Sequence, residues 1–199
     1  MEKKFQRIVP DNIKVEDLTP LDITCGATKC NEDFHCFSLK SSLKKFETTR
    51  VCKECGVDLI DWDRVYKNDI EDAPFIFQSL RKELIRHVVW HSEIDQEALV
   101  KALQKGRIKI REHAIHLLKS KIGKCNNFDG RQTPLGGNDI VNYAQHATAT
   151  CCRKCLEAWH NIPKNVVLND AQLEFCTELV MLYINEKVPN LSDEGISKI

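Results

Sequence analysis

The chain has 199 residues, enough for one well-filled core or two small domains. Its 29 basic residues balance its 29 acidic ones, which argues against the uniformly basic surface of a non-specific nucleic-acid coat. No apolar run approaches the ~20 residues that span a bilayer, and ten cysteines without a hydrophobic N-terminal signal segment point to metal binding or catalysis in the cytoplasm rather than to disulfides.

Taken from the N-terminus, the first feature is a cysteine cluster from Cys25 to Cys55. Cys25-x4-Cys30 and Cys52-x2-Cys55-Gly56 form two pairs about twenty residues apart, the layout of a zinc ribbon. Phe34–Leu39 and Lys45–Val51 carry the aromatic and β-branched content of short strands between the pairs, and Val57–Trp62 alternates well enough to add another. Gly56 suits a knuckle that needs a positive backbone angle. Cys25, Cys30, Cys52 and Cys55 are the expected ligands of a closed, structural zinc site, with His35 and Cys36 as alternates.

From Pro74 the hydrophobic period changes to that of helices. Asp72 and Pro74 mark a helix start, and Phe77, Leu80, Leu84, Val88 and His91 fall on one face of a single helix. His87 and His91 lie four apart on it, with Glu83 one turn earlier, a spacing open to a metal or a general base. Helices follow over 95–105, stopping at Gly106, and over 107–122, stopping at Gly123. Between Lys101 and Lys124 lie eight cations, Lys109 and Arg111 among them, and one acid, a stripe suited to phosphates. Lys40, Lys44, Lys45, Arg50 and Lys53 make a second basic run. The long loop from Lys124 to Asp139 contains Asp129, Arg131, Gln132 and Thr133, a mixture able to grip a polar or phosphorylated ligand. A last helix starts at Asn169–Asp170 with Gln172 completing a capping box and ends at Pro189. Leu173, Cys176, Val180 and Ile184 form its buried stripe, and the tail from Ser192 reads as loose.

The densest chemistry lies in the run from Gln145 to His160, which holds three thiols and two imidazoles. Thiolates and imidazoles are the donors that tetrahedral zinc selects. His146, Cys152, Cys155 and His160 form the preferred set, with Cys151 competing. An iron–sulfur cluster on Cys151, Cys152 and Cys155 with Cys125 or Cys176 is the alternative cofactor.

The stretch from about Ala102 to Ile184 resembles an uncharacterised bacterial domain family. The resemblance rests on Lys105-Gly106, His113-Ala114, Gly130-Arg131-Gln132-Thr133-Pro134, Ala144 through Arg153, and then Cys155-Leu156, Trp159-His160 and Ile162-Pro163-Lys164. Where that family often carries Gly-His-Pro after the Gln-Thr-Pro loop, this chain has Gly136-Gly137-Asn138-Asp139. The resemblance implies no activity.

Together these features predict an α+β protein, with a small zinc-ribbon-like β module over 1–66 and a mainly helical metal-binding domain over 67–199. The expected function is that of a zinc protein acting on nucleic acid by metal-assisted hydrolysis. In that reading His146, Gln132 and Asp129 are the catalytic candidates, with Glu157 a further proton acceptor. Arg131, Thr133, Lys109 and Arg111 are the substrate-binding candidates. Two other readings compete: a non-catalytic zinc-stabilised module that binds nucleic acid or protein, and a thiol redox sensor built on Cys151 or Cys152.

Overall fold

The computed structural model describes residues 6–125 and 132–196. It is an α+β structure in which one small sheet rests on a helical body. Strands β1 (Gln6–Ile8) and β2 (Ile23–Thr28) pair in parallel, with Gln6 opposite Ile23 and Ile8 opposite Thr28. The helices are α1 (Leu39–Phe46), α2 (Trp62–Val65), α3 (Ala73–Ser79), α4 (Leu84–His91), α5 (Gln96–Leu117), α6 (Ile140–Ala147), α7 (Arg153–His160) and α8 (Asp170–Lys187).

Helix α8 is the hub. Phe175, Cys176, Leu179, Val180, Tyr183 and Ile184 are buried on it, a wider apolar face than a single stripe, because α3, α5 and α6 all pack around it. The expected capping box is present, with Asn169 Oδ1 accepting from Gln172 N and Gln172 Oε1 from Asn169 N. Strand β2 packs on α4, and Phe37, Trp62 and Trp159 meet edge-on or tilted at 5.4–5.6 Å. These three rings join the N-terminal section to α7 within one continuous core.

Three local expectations are revised. The segment expected as strand around Lys45 is instead part of α1, which ends at Glu47 in the left-handed region. Ser42 Oγ bonds Val51 O at 2.8 Å and ties this helix back onto the chain leading to Cys52. The single helix expected from Pro74 is split at Glu83, which is extended. The backbone of His35 pairs there, His35 N donating to Lys82 O and Leu84 N to His35 O. Its amide and carbonyl thus take the place of a helical turn.

The break at Gly106 stands, with φ +78° inside α5, and α5 runs on as a wide turn over Leu118–Ile122. The tail is docked rather than loose as far as Ile196. Arg107 N and Ile108 N donate to Ser192 O and Asp193 O, and Ile196 N donates to Leu103 O. A broken helix exposes unpaired backbone groups, and this tail satisfies them. A side chain at Gly195 would lie 1.9 Å from Gln104 O, so the close approach requires glycine.

Candidate metal centres

The first centre gathers Cys30, His35, Cys52 and Cys55, whose donor atoms all lie within 4.8 Å of one another. Cys30 Sγ and Cys52 Sγ are 3.8 Å apart, and Cys55 Sγ is 3.5 Å from His35 Nδ1. Four donors about 2.3 Å from a zinc ion stand about 3.8 Å apart at tetrahedral corners, so the spacing fits a single ion. The knuckle after Cys52 turns as expected: Gly56 N bonds Cys52 O at 2.9 Å with Gly56 at φ +78°. A side chain at Gly56 would also strike the Phe46 ring at 2.9 Å.

His35 replaces Cys25 in this set. Cys25 lies inside β2 and Cys30 just beyond it, five residues on. At about 3.3 Å per residue an extended segment of that length spans about 16 Å, far too long for both thiols to reach one ion. The β-branched run Ile23-Thr24 before Cys25 was the available signal for a strand. His35 Nε2 is 3.1 Å from Asp33 Oδ1, leaving Nδ1 toward the thiols, the usual carboxylate support of a ligating imidazole. The crowded thiols resist ionising together. Burial and the neighbouring Cys52 push Cys30 up to about 12. Burial also acts against ionisation of Cys52, but backbone hydrogen bonds outweigh it and hold Cys52 at about 7. A divalent cation removes that conflict by favouring every thiolate at once.

The second centre gathers Cys151, Cys152 and Cys155 within the same 4.8 Å limit. A turn through Ala149, at φ +57°, leads into Cys152, the extended residue that precedes α7. Because the helix starts only at Arg153, Cys151 and Cys152 escape helical geometry and both converge with Cys155. They are partners rather than competitors. Cys151 Sγ and Cys155 Sγ are 3.6 Å apart, again close to a tetrahedral edge. A four-iron cluster holds each thiolate on a separate iron atom and spaces them more widely, so these three sulfurs fit a single ion better. Cys125 and Cys176, expected as its further ligands, stand outside the group.

Arg86 is buried beside these thiols. Its Nη2 donates to Cys155 Sγ at 3.0 Å, Nη1 to His146 O at 2.6 Å and Nε to Glu83 Oε2 at 3.0 Å. Trp159 Nε1 donates to the same Glu83 oxygen at 2.9 Å. Hydrogen bonds from Cys151 and Cys152, with the Arg86 charge, hold Cys155 well below the ordinary thiol range despite its burial. Sharing hydrogen bonds with its neighbours pushes Cys151 well above that range.

Neither flanking histidine joins the thiols. His146 Nε2 is 3.1 Å from both Thr133 O and Pro134 O, so its imidazole secures the preceding loop. His160 Nε2 is 3.1 Å from Thr148 O, and burial lowers its pKa to about 4. Through Nε2 each ring fastens backbone carbonyls around the thiol turn, while His160 Nδ1 is buried without a hydrogen-bond partner.

Of the loop residues, Gln132 Oε1 accepts from Arg153 N at 2.7 Å and caps α7, which makes it a scaffold for the thiols. Thr133 is buried, with Oγ1 3.3 Å from Gln145 Oε1. Asp129 and Arg131 lie outside the described residues. Lys109 is exposed on α5, and Arg111 pairs with Glu174 and Glu178 of α8. Lys101 pairs with Glu97 and Arg107 with Asp193, so much of the basic stripe is already answered by acids. His87 and His91 stack at 4.1 Å with Phe34 beside them, while Glu83 turns away to Arg86.

A cavity of about 330 Å³ opens in front of the second centre. Cys151, Cys152 and Cys155 line it together with Phe37, Glu83, Arg86 and Trp159, and Lys40, Lys154, Lys164 and Glu157 also contribute to its walls. Cys25, displaced from the first centre, lines it as well.

Fold and sites thus define an α+β protein with two cysteine-rich groups able to hold a metal ion. Residues 75–185 match the family described as Domain of unknown function (DUF4186), and the chain belongs to that family. The matched region contains the second centre and leaves the first centre and Cys25 outside it. No solved structure matches the chain. Among the described residues no helix is long and apolar enough to cross a membrane.

Proposed function

We propose that this is a cytoplasmic zinc protein that binds a phosphate-bearing ligand, nucleic acid in the first instance, at its second centre. The observation that carries this reading is the cavity of about 330 Å³ in front of three convergent thiols. A shell that served only to brace the chain needs no such space, since a water takes up about 30 Å³ of liquid and ligand pockets start near about 300 Å³. Lys40, Lys154 and Lys164 on its walls suit an anionic ligand, and Arg86 lies deeper within it.

Cys151, Cys152 and Cys155 would hold the ion, and the first centre, with four protein donors, is structural. A zinc ion with three protein ligands supplies a Lewis acid that polarises a phosphoryl oxygen or acidifies water. The residues prepare that chemistry in a definite way. Three thiolates give a divalent ion a net negative charge, and the Arg86 guanidinium against Cys155 offsets it. Glu83 and Trp159 fix the guanidinium plane, and the buried rings of Trp159 and Phe37 line the cavity.

A non-catalytic binding module is the second reading. It is favoured by the commitment of Glu83 to Arg86 and Trp159 and of His146 Nε2 to two carbonyls, which leaves Glu157 as the other carboxylate on the cavity wall. Metal analysis of the reduced protein should return two zinc ions per chain. Binding and cleavage of labelled single- and double-stranded DNA and RNA should weaken in Lys154→Ala and as salt is raised. Binding without cleavage by fully loaded protein selects the module, and neither binding nor cleavage overturns the nucleic-acid reading.

A further inference from the structure

We propose that Cys25 is the fourth donor of the second centre, and the donor that yields when a ligand enters. The inference rests on the reading of that centre as a metal site. Cys25 shares the cavity wall with Cys151, Cys152 and Cys155, and it comes to that wall from β2, an element far away in sequence. Of the other groups on that wall, Cys36 and Glu83 are held elsewhere. Cys36 is buried, and its Sγ turns to the carbonyl of Cys25 itself at 3.7 Å. The Glu83 carboxylate is held by Arg86 and Trp159, and His146 offers a nitrogen donor rather than a sulfur. A thiolate is also the softest donor present and matches the three already gathered.

Position separates Cys25 from its partners. Cys151 and Cys155 are buried and Cys152 is half-buried, all three within two turns of one short segment, whereas Cys25 is exposed. In this structure Cys25 lies outside the group whose sulfurs fall within 4.8 Å of one another. Three donors are therefore assembled in advance, and the fourth stands at the solvent side of the cavity. Four thiolates on a divalent ion carry two net negative charges, which Arg86 and the wall lysines Lys40, Lys154 and Lys164 are placed to offset. Those same lysines attract the anion that competes with Cys25. Because Cys30, just beyond the end of β2, belongs to the first centre, closure by Cys25 would place one strand under the control of both ions.

The test uses the full chain loaded with cobalt(II), whose thiolate charge-transfer absorption grows with the number of cobalt–sulfur bonds. The wild type should show seven such bonds per chain, three in the first centre and four in the second. Cys25→Ser should keep both ions and lose about one-seventh of the absorption, and Cys25→His should keep both ions at the same reduced intensity. If Cys25→Ser sheds the second ion, retention of that ion by Cys25→His counts for the proposal, and loss from both variants counts against it. Unchanged absorption in Cys25→Ser with two ions bound overturns the role of Cys25 and leaves the metal reading intact. A wild type that binds only one ion overturns both. Titrating the wild type with inorganic phosphate should remove the same one-seventh, with no change in Cys25→Ser. Absorption that ignores phosphate in the wild type makes Cys25 a permanent ligand and overturns its exchange.

Discussion

The two cysteine-rich centres are built from similar donors and differ in almost everything around them. The first draws Cys30 and His35 from the end of a strand and a tight turn, and Cys52 and Cys55 from a knuckle, with Cys55 exposed. Cys30 is half-buried and Cys55 exposed, so water screens part of its charge, and the buried Lys29 beside Cys30 is paired with Glu32. The second lies deep against α4 and α6, where a negative group must be compensated inside the protein. Arg86 provides that compensation, and Glu83 and Trp159 in turn hold Arg86. The contrast shows that a set of ligands does not by itself declare a role. An arginine bonded to one of the sulfurs and space in front of them mark the second group for ligand chemistry.

The sharpest break of this comparison is Cys52→Ser. Structural zinc sites supply folding free energy outright, on the order of 10 kcal/mol in isolated fingers. The variant should lose one zinc ion and leave the N-terminal section open to proteolysis while the helical body persists, as read by metal analysis and mass mapping of the fragments. Next comes Arg86→Met. It strands the buried Glu83 carboxylate, and breaking a buried pair on one side costs about 3–5 kcal/mol. Urea unfolding should show that loss, with zinc retained in the first centre and weakened in the second. If Arg86→Met leaves both zinc sites and stability unchanged, the compensation argument fails.

Acid sharpens the difference in another way. His160 is fully buried, and burial lowers its folded pKa to about 4 from an ordinary 6.5. Above pH 6.5 both folded and unfolded states hold it neutral. Between about pH 6.5 and 4 only the unfolded state takes up the proton, so stability falls across that window by up to about 3 kcal/mol. In His160→Gln that part of the acid limb should flatten, so its stability deficit against the wild type shrinks as pH falls from 7 to 4.5. A deficit that stays constant would mean that His160 titrates normally. The smallest expected effect is that of Gln132→Ala. Removal of the cap on Arg153 N should cost about 1 kcal/mol and loosen the start of α7. Zinc should then leave the second centre faster while its release from the first is unchanged.

Much of this architecture was legible in the residues. The capping box at Asn169 and Gln172, the break at Gly106 and the turn at Gly56 depend on neighbours a few positions away, so local pattern suffices to find them. The pairing of Cys52 with Cys55, and of Cys152 with Cys155, likewise follows from short spacings within tight turns. The strand β2 was also within reach of its β-branched residues, and recognising it would have separated Cys25 from Cys30.

Tertiary contacts decided the rest. The helix expected through Glu83 divides because His35, from a different part of the chain, takes up its backbone groups. His146 and His160 serve as fasteners because loop carbonyls reach them first. Arg86 carried no motif and Glu83 was grouped with His87 and His91, yet folding sets this pair beside thiols some seventy residues away in sequence. Sequence alone therefore determined which donors exist and which short turns pair them, since those depend on local backbone geometry. Which donors share a centre, what charge stands beside them and where space opens depend on long-range packing, and only the folded chain settles that.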